Sequence, residues 1–293
     1  MKNHRLILST ALLVSACSSI ASAQVEDFPN LAGTPPKVLL LVHQEFKSAK
    51  TGERQKLEVA ISRACDRLSV PNSWIDLESI SGPPGALFFD PFDSFEHIDV
   101  AFTDWARIFA THAELARLQQ ELKALVSSER TIIAVRRDDL GFRPQSIDFS
   151  KARFLRVLEV QLHPGHESDF VEAFKILGGA YEKIKADTPW VVYQVNVGMP
   201  SPTFLVFVPM HALKQNDDLL DWRRRLREAE GEEAAQRMEQ IAKDAYASTE
   251  SNLYFISPET SHVSKDFSDG DPGFWSPKPS ANAKTAPRRD AKP

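Results

Sequence analysis

Trp74-Ile75-Asp76-Leu77-Glu78-Ser79-Ile80-Ser81-Gly82 decides the reading of this chain, because its pattern returns as Trp190-Val191-Val192-Tyr193-Gln194-Val195-Asn196-Val197-Gly198. Each segment opens on a tryptophan and reads as a strand, the first by alternating apolar with polar side chains. Each closes eight residues later on a glycine that enters a Pro-containing turn, Gly82-Pro83-Pro84-Gly85 and Gly198-Met199-Pro200. A short aromatic strand follows both turns, Ala86-Leu87-Phe88-Phe89 in one case and Phe204 to Val208 in the other.

Working outward, the flanking elements also come in pairs. Val38 to Val42, continuing through His43-Gln44-Glu45-Phe46, is a branched apolar run that reads as a strand. Gly52-Glu53 then opens a helix with Leu57, Ile61, Ala64, Cys65 and Leu68 on one face, ended by Pro71. In the second half the strand is Arg153 to Leu162, and Gly165-His166-Glu167 opens a helix through Phe170, Phe174, Leu177 and Tyr181 that Pro189 breaks. Downstream, Thr111 to Val126 is helical, with Leu115, Leu118, Leu122 and Leu125 at spacings of three and four, and Arg130 to Val135 is a strand. Asp218 to Ala247 is the corresponding helical stretch, which Gly231 kinks or splits, before a final strand from Asn252 to Ile256. Ser128-Glu129 and Thr249-Glu250 precede the two last strands.

Both halves therefore read β-α-β-β-α-β, a repeat at domain scale. The fold class expected is α+β: two tandem ferredoxin-like units, residues 37–150 and 151–257, forming an intrachain pseudo-dimeric α+β barrel. A four-stranded sheet with helices on one face leaves its other face bare, at roughly 25 cal/mol per Å² of apolar area. A second copy on the same chain can cover it, which is compatible with a monomer. On Gly52-Glu53, Gly165-Glu167, Trp74/Trp190 and Gly82/Gly198, the chain resembles the dimeric α+β barrel superfamily over roughly residues 37–257. That resemblance implies a ligand cavity inside the barrel or between sheet and helices. The family holds cofactor-independent monooxygenases, haem-degrading enzymes, chlorite-dismutase-like haem proteins and many members of other roles, among which fold does not choose.

Composition sets the outer limits. The chain has 293 residues, 42% hydrophobic and 26% charged, with a formal charge of -5, ordinary globular values. No basic stripe suits nucleic acid; Arg223-Arg224-Arg225 lies among acidic residues on a helix, a solvated face. Lys2 and Arg5, the apolar Leu6 to Ala16 and the small-x-small Ala21-Ser22-Ala23 have the layout of a secretory signal peptide over residues 1–23. The protein is thus expected to be exported, periplasmic or secreted, with no transmembrane span in the mature chain. Val14-Ser15-Ala16-Cys17 also has the form of a lipoprotein signal, so lipid anchoring at Cys17 stays open. Residues 24–36 read as a linker and 258–293 as an extended, partly disordered tail, in which Phe274-Trp275 is expected to dock on the body. Apart from Cys17 the only cysteine is Cys65, a buried small hydrophobe on a helix.

Candidate chemistry lies on the strands. His43 and Glu45 share one face of the first strand, and Glu159, Gln161 and His163 share one face of its counterpart. Carboxylates in otherwise apolar strands suit a pocket with a base or hydrogen-bond acceptor, or polar contacts at the seam between the halves. Gln194 and Asn196 share a face as further ligand-binding candidates, or satisfy buried backbone groups. His163-Pro164-Gly165-His166-Glu167 lacks the spacing of any zinc motif. For haem, His43, His163 and His211 are the nominal axial ligands, none within a motif. No phosphate loop, nucleophile elbow or CxxC pair occurs, so no cofactor is expected. The reading is an exported small-molecule-binding or structural protein; the alternative is a cofactor-independent monooxygenase-like enzyme.

Overall fold

Strand β1 (Val38–Phe46) sets the pattern of the whole molecule, because its alternation sorts side chains to two cores. Leu39 and Leu41 enter one cluster, Val38, Leu40 and Val42 another. In the computed structural model, which describes residues 35–47 and 51–276, β1 is followed by α1 (Thr51–Leu68), β2 (Trp74–Ser79), β3 (Gly85–Phe92), α2 (Phe95–Thr111), α3 (Ala113–Leu125) and β4 (Val126–Arg136). The second half runs β5 (Phe154–Leu162), α4 (Glu167–Lys183), β6 (Val191–Val197), β7 (Thr203–Met210), α5 (Trp222–Glu230), α6 (Glu232–Ala245) and β8 (Tyr246–His262), and the short α7 (Lys265–Asp269) and α8 (Pro272–Trp275) follow. The expected signal peptide, the Cys17 anchor, most of the 24–36 linker and the end of the tail lie outside the described residues.

The expectation of two ferredoxin-like units is corrected here. All eight strands close into one antiparallel barrel in the order β1-β3-β2-β8-β5-β7-β6-β4. β2 pairs with β8 and β4 with β6, so strands from the two halves of the chain share one continuous sheet. Closure leaves no strand edge with unpaired N–H and C=O groups, which is the physical reason one barrel wins over two open sheets. The second helix expected in each half is also a pair, α2 with α3 and α5 with α6. Ser94 caps α2 by accepting from the His97 N–H at 3.2 Å, and Gly231, at φ 88°, separates α5 from α6.

Inward-facing residues of the strands, among them Leu39, Leu41, Ile75, Leu77, Phe89, Leu155, Tyr193 and Phe207, fill the barrel. Phe89 packs edge-on against Phe207 with ring centres 5.6 Å apart. One end is stoppered by Ile147 and Phe149 from the β4–β5 connection and by Phe267 and Trp275 from the C-terminal helices. Trp275 donates its Nε1–H to the Ser150 carbonyl at 2.7 Å, and the Arg153 guanidinium lies 3.9 Å above the Phe274 ring. The aromatic pair Phe274-Trp275 thus packs against the barrel. Outside, α1–α3 cover the first-half strands and α4–α6 the second-half strands, each with its own apolar cluster. Cys65 is fully buried in the first of these layers, and burial pushes its thiol up to about 12.

Candidate functional site

The site is built on the outward side of β1, β3 and β4. There the alternation that sends Leu41 and Phe89 into the barrel turns Val42, Gln44, Phe88, Asp90, Glu129 and Thr131 toward the helices. Those six residues form the floor of a cavity of about 280 Å³ that reaches solvent. Its walls are Glu58 and Ile61 of α1, Trp105 and Phe109 of α2, and Gln119 and Leu122 of α3, with Trp74 and Thr260 closing one side. Trp105 stacks on Phe109 at 5.2 Å and meets Trp74, tilted by 48°, at 6.2 Å, giving an aromatic wall over a polar floor. Trp74 is held in turn by its Nε1–H on the Thr260 carbonyl at 3.0 Å.

Hydrogen bonding in this cavity is incomplete. Gln44 donates from Nε2 to Glu129 Oε2 at 2.7 Å, but its Oε1 is buried without a partner. Asp90 Oδ1 and Glu58 Oε1 are in the same position. Buried polar atoms are nearly always paired, so three unpaired ones around a single cavity mark where a ligand or water would bond. Asp90 has no charged neighbour to favour ionisation, and burial alone pushes its carboxyl up to about 8. Glu58 pairs with Arg54 Nε at 2.9 Å, and Arg54 reaches Glu78 at 3.1 Å. Even so, burial first and the nearby Asp76 second hold Glu58 well above the usual carboxylate range. Asp76, fully buried between β2 and α1, is raised by burial as well. Burial thus favours the neutral carboxyl at Asp90 and Glu58, a form that can donate as well as accept a hydrogen bond.

His43, Glu45 and Glu159 come together elsewhere, at the open end of the barrel. They line a second cavity of about 280 Å³ with Ser128, Arg130, Glu250, Asn252 and Tyr254. Glu159 sits directly opposite Glu250 in the β5–β8 ladder, and burial followed by that like charge raises its carboxyl. Burial lowers His43. Gln161 is not part of this lining; its Oε1 accepts from Ser248 Oγ at 3.4 Å near the rim. His163 is exposed beyond the end of β5, its N–H on the Ala245 carbonyl at 2.8 Å. Gln194 points outward and accepts from Arg137 at 2.9 Å, and Asn196 is exposed. So three of the seven sequence candidates share a space, and the other four do not join them.

The sequence reading passed over Gln44, Glu58 and Asp90. A signal for Asp90 exists in Phe88-Phe89-Asp90-Pro91-Phe92, where one carboxylate interrupts an aromatic strand. Another lies in Arg54 and Glu58, one turn apart on the helix face that carries Ile61 and Cys65. Among the described residues no group of three or more His, Cys, Asp or Glu side chains is arranged to hold a metal ion, and no helix is long and apolar enough to cross a membrane.

No family model matches the sequence, and no curated protein matches it. Solved structures do. An anthrone oxidase-like protein shares 12% identity, covering 75% of this chain and 91% of its own, with a TM-score of 0.50. A monooxygenase-like protein from Lactobacillus acidophilus NCFM shares 9%, covering 78% and 96%, at 0.48. A chlorite dismutase variant from Candidatus Nitrospira defluvii shares 12%, covering 77% and 94%, at 0.47. These neighbours belong to the dimeric α+β barrel superfamily. At such identities the likeness is one of fold alone, and it rests on the first of them.

Proposed function

We propose that the protein binds a small aromatic molecule carrying hydroxyl groups in the cavity between the first-half strands and α1–α3. The observation that carries this reading is the convergence of Gln44 Oε1, Glu58 Oε1 and Asp90 Oδ1, all buried and unpaired, beneath the ring wall of Trp74, Trp105 and Phe109. A flat ring would stack on that wall, and its hydroxyl would bond the unpaired oxygens. The test is binding of 2-naphthol and its methyl ether, read by quenching of tryptophan fluorescence. Naphthol should bind at least tenfold more tightly than the ether, and Asp90→Asn and Gln44→Leu should each erase most of the difference. Equal binding of the two compounds, or unchanged binding by both variants, refutes the proposal.

A second reading, a cofactor-independent oxygenase, draws on one specific observation. A carboxylate whose pKa lies near 8 is a far stronger base than an ordinary aspartate. Once ionised, Asp90 could take the proton of a bound phenol or quinol, leaving an electron-rich anion for dioxygen to oxidise. Oxygen uptake with a quinol panel, abolished in Asp90→Asn, would support it. Binding without uptake leaves the binder.

We further propose that the chain is exported, with residues 1–23 as its signal, on the strength of Lys2, Arg5, the apolar run and Ala21-Ser22-Ala23. The mass of the protein recovered from its own cells decides: a start at Gln24 or a lipidated Cys17 supports export, and a retained Met1 refutes it. The paired landmarks Trp74/Trp190 and Gly82/Gly198 support an origin of the two halves by duplication. Both glycines have left-handed backbones, φ 78° and 101°.

A further inference from the structure

The second half has a cavity of its own, of about 290 Å³, between β5, β7 and α4–α6. Its character is the reverse of the first. Trp190, Trp222, Tyr181, Phe174 and Leu177 make it apolar and aromatic, with Tyr181 edge-on to Trp190 at 4.7 Å and 5.4 Å from Trp222. Into this lining β5 delivers one charged residue, Arg156, by the alternation that also presents Leu158 and Val160. Arg156 Nε is buried without a hydrogen-bond partner, and no carboxylate is among the groups that act on the guanidinium.

An arginine cannot shed its proton to escape such a place. Burial lowers its pKa, yet the group stays charged at any physiological pH. A part-buried cation in an apolar lining is unfavourable unless an anion meets it. Among the described residues no carboxylate pairs with it, while the cavity around it suits a ring. We propose that this cavity binds a small aromatic carboxylate, its carboxylate on Arg156 and its ring among Tyr181, Trp190 and Trp222. The planar guanidinium fork matches a carboxylate with two parallel hydrogen bonds. The cavity volume admits one or two fused rings and little more. This site is separate from the first-half cavity and does not rest on the function proposed for it.

The test uses the whole protein with 2-naphthoate and uncharged 2-naphthamide as probes, followed by calorimetry and thermal unfolding. Wild type should bind naphthoate at least tenfold more tightly than the amide. Arg156→Met keeps the side-chain bulk and removes the charge, so it should remain folded, bind both probes alike, and lose the thermal stabilisation by naphthoate. Arg156→Lys should keep part of the preference. The proposal is overturned if folded wild type binds neither probe, if it binds both equally, or if Arg156→Met keeps the preference for the anion.

Discussion

Replacing Asp90 by asparagine should stabilise the fold, and by an amount that grows with pH. Asp90 is half-buried on β3, its Oδ1 sealed without a partner, and burial moves its carboxyl from 3.8 to about 8. Because the folded state holds the proton more tightly than the unfolded chain, stability from this group is complete below pH 3.8 and drains away as pH rises through about 8. At about 1.4 kcal/mol per pH unit, the interval from 3.8 to 7 would cost the native state about 4 kcal/mol. The cavity reaches solvent, and water inside it eases the ionised form, which brings the expected cost to about 2 kcal/mol at pH 7. Asparagine has nearly the same shape, stays neutral in both states and retains hydrogen-bonding capacity, so Asp90→Asn should recover that difference. Urea denaturation of both proteins at pH 4, 5.5, 7 and 8.5 provides the assay. The variant should match wild type near pH 4 and exceed it by about 2 kcal/mol at pH 7. A difference that stays flat across this range would refute the claim that Asp90 is held protonated.

Other consequences follow from the same packing. A Cβ on Gly198, whose φ is 101°, would collide with the Thr131 carbonyl across the β4–β6 junction; Gly198→Ala should therefore cost about 2–4 kcal/mol and lower Tm markedly. Trp275→Ala removes a stopper residue that is 6% exposed, together with its bond to Ser150, and should cost about 3 kcal/mol in urea denaturation. Glu250→Gln relieves the like charge opposite Glu159, so at pH 7 and low salt it should stabilise the protein by about 0.5 kcal/mol. In 1 M salt that gain should nearly vanish.

The strands announced themselves in the sequence, and the pairings that join all eight into one sheet did not. Phe154–Leu162 and Val191–Val197 fall within a residue of the strands expected at Arg153 to Leu162 and Trp190 to Val197, because short strand-forming runs are a local signal. The β4–β6 and β2–β8 pairings join residues far apart in sequence, and no local pattern records such partners. α2 escaped because Phe95 and Phe102 are exposed and dilute its apolar face, while its cap, Ser94, is a single residue. β8 runs from Tyr246 to His262, far beyond the expected Asn252 to Ile256, since its exposed polar first half lacks the apolar rhythm. For the site, face-sharing by alternation correctly grouped His43 with Glu45. It could not say that the opposite face of the same strand, through Gln44, looks onto another cavity whose acids arrive from α1 and β3.

The most direct test of the first-half cavity is a carbon-13 NMR titration of the aspartate carboxyls, with Asp90→Asn identifying the Asp90 signal. A midpoint near 8, displaced when 2-naphthol is added, is expected of a buried carboxyl waiting for a hydroxylated ligand. A midpoint near 3.8 that naphthol leaves unmoved would contradict it.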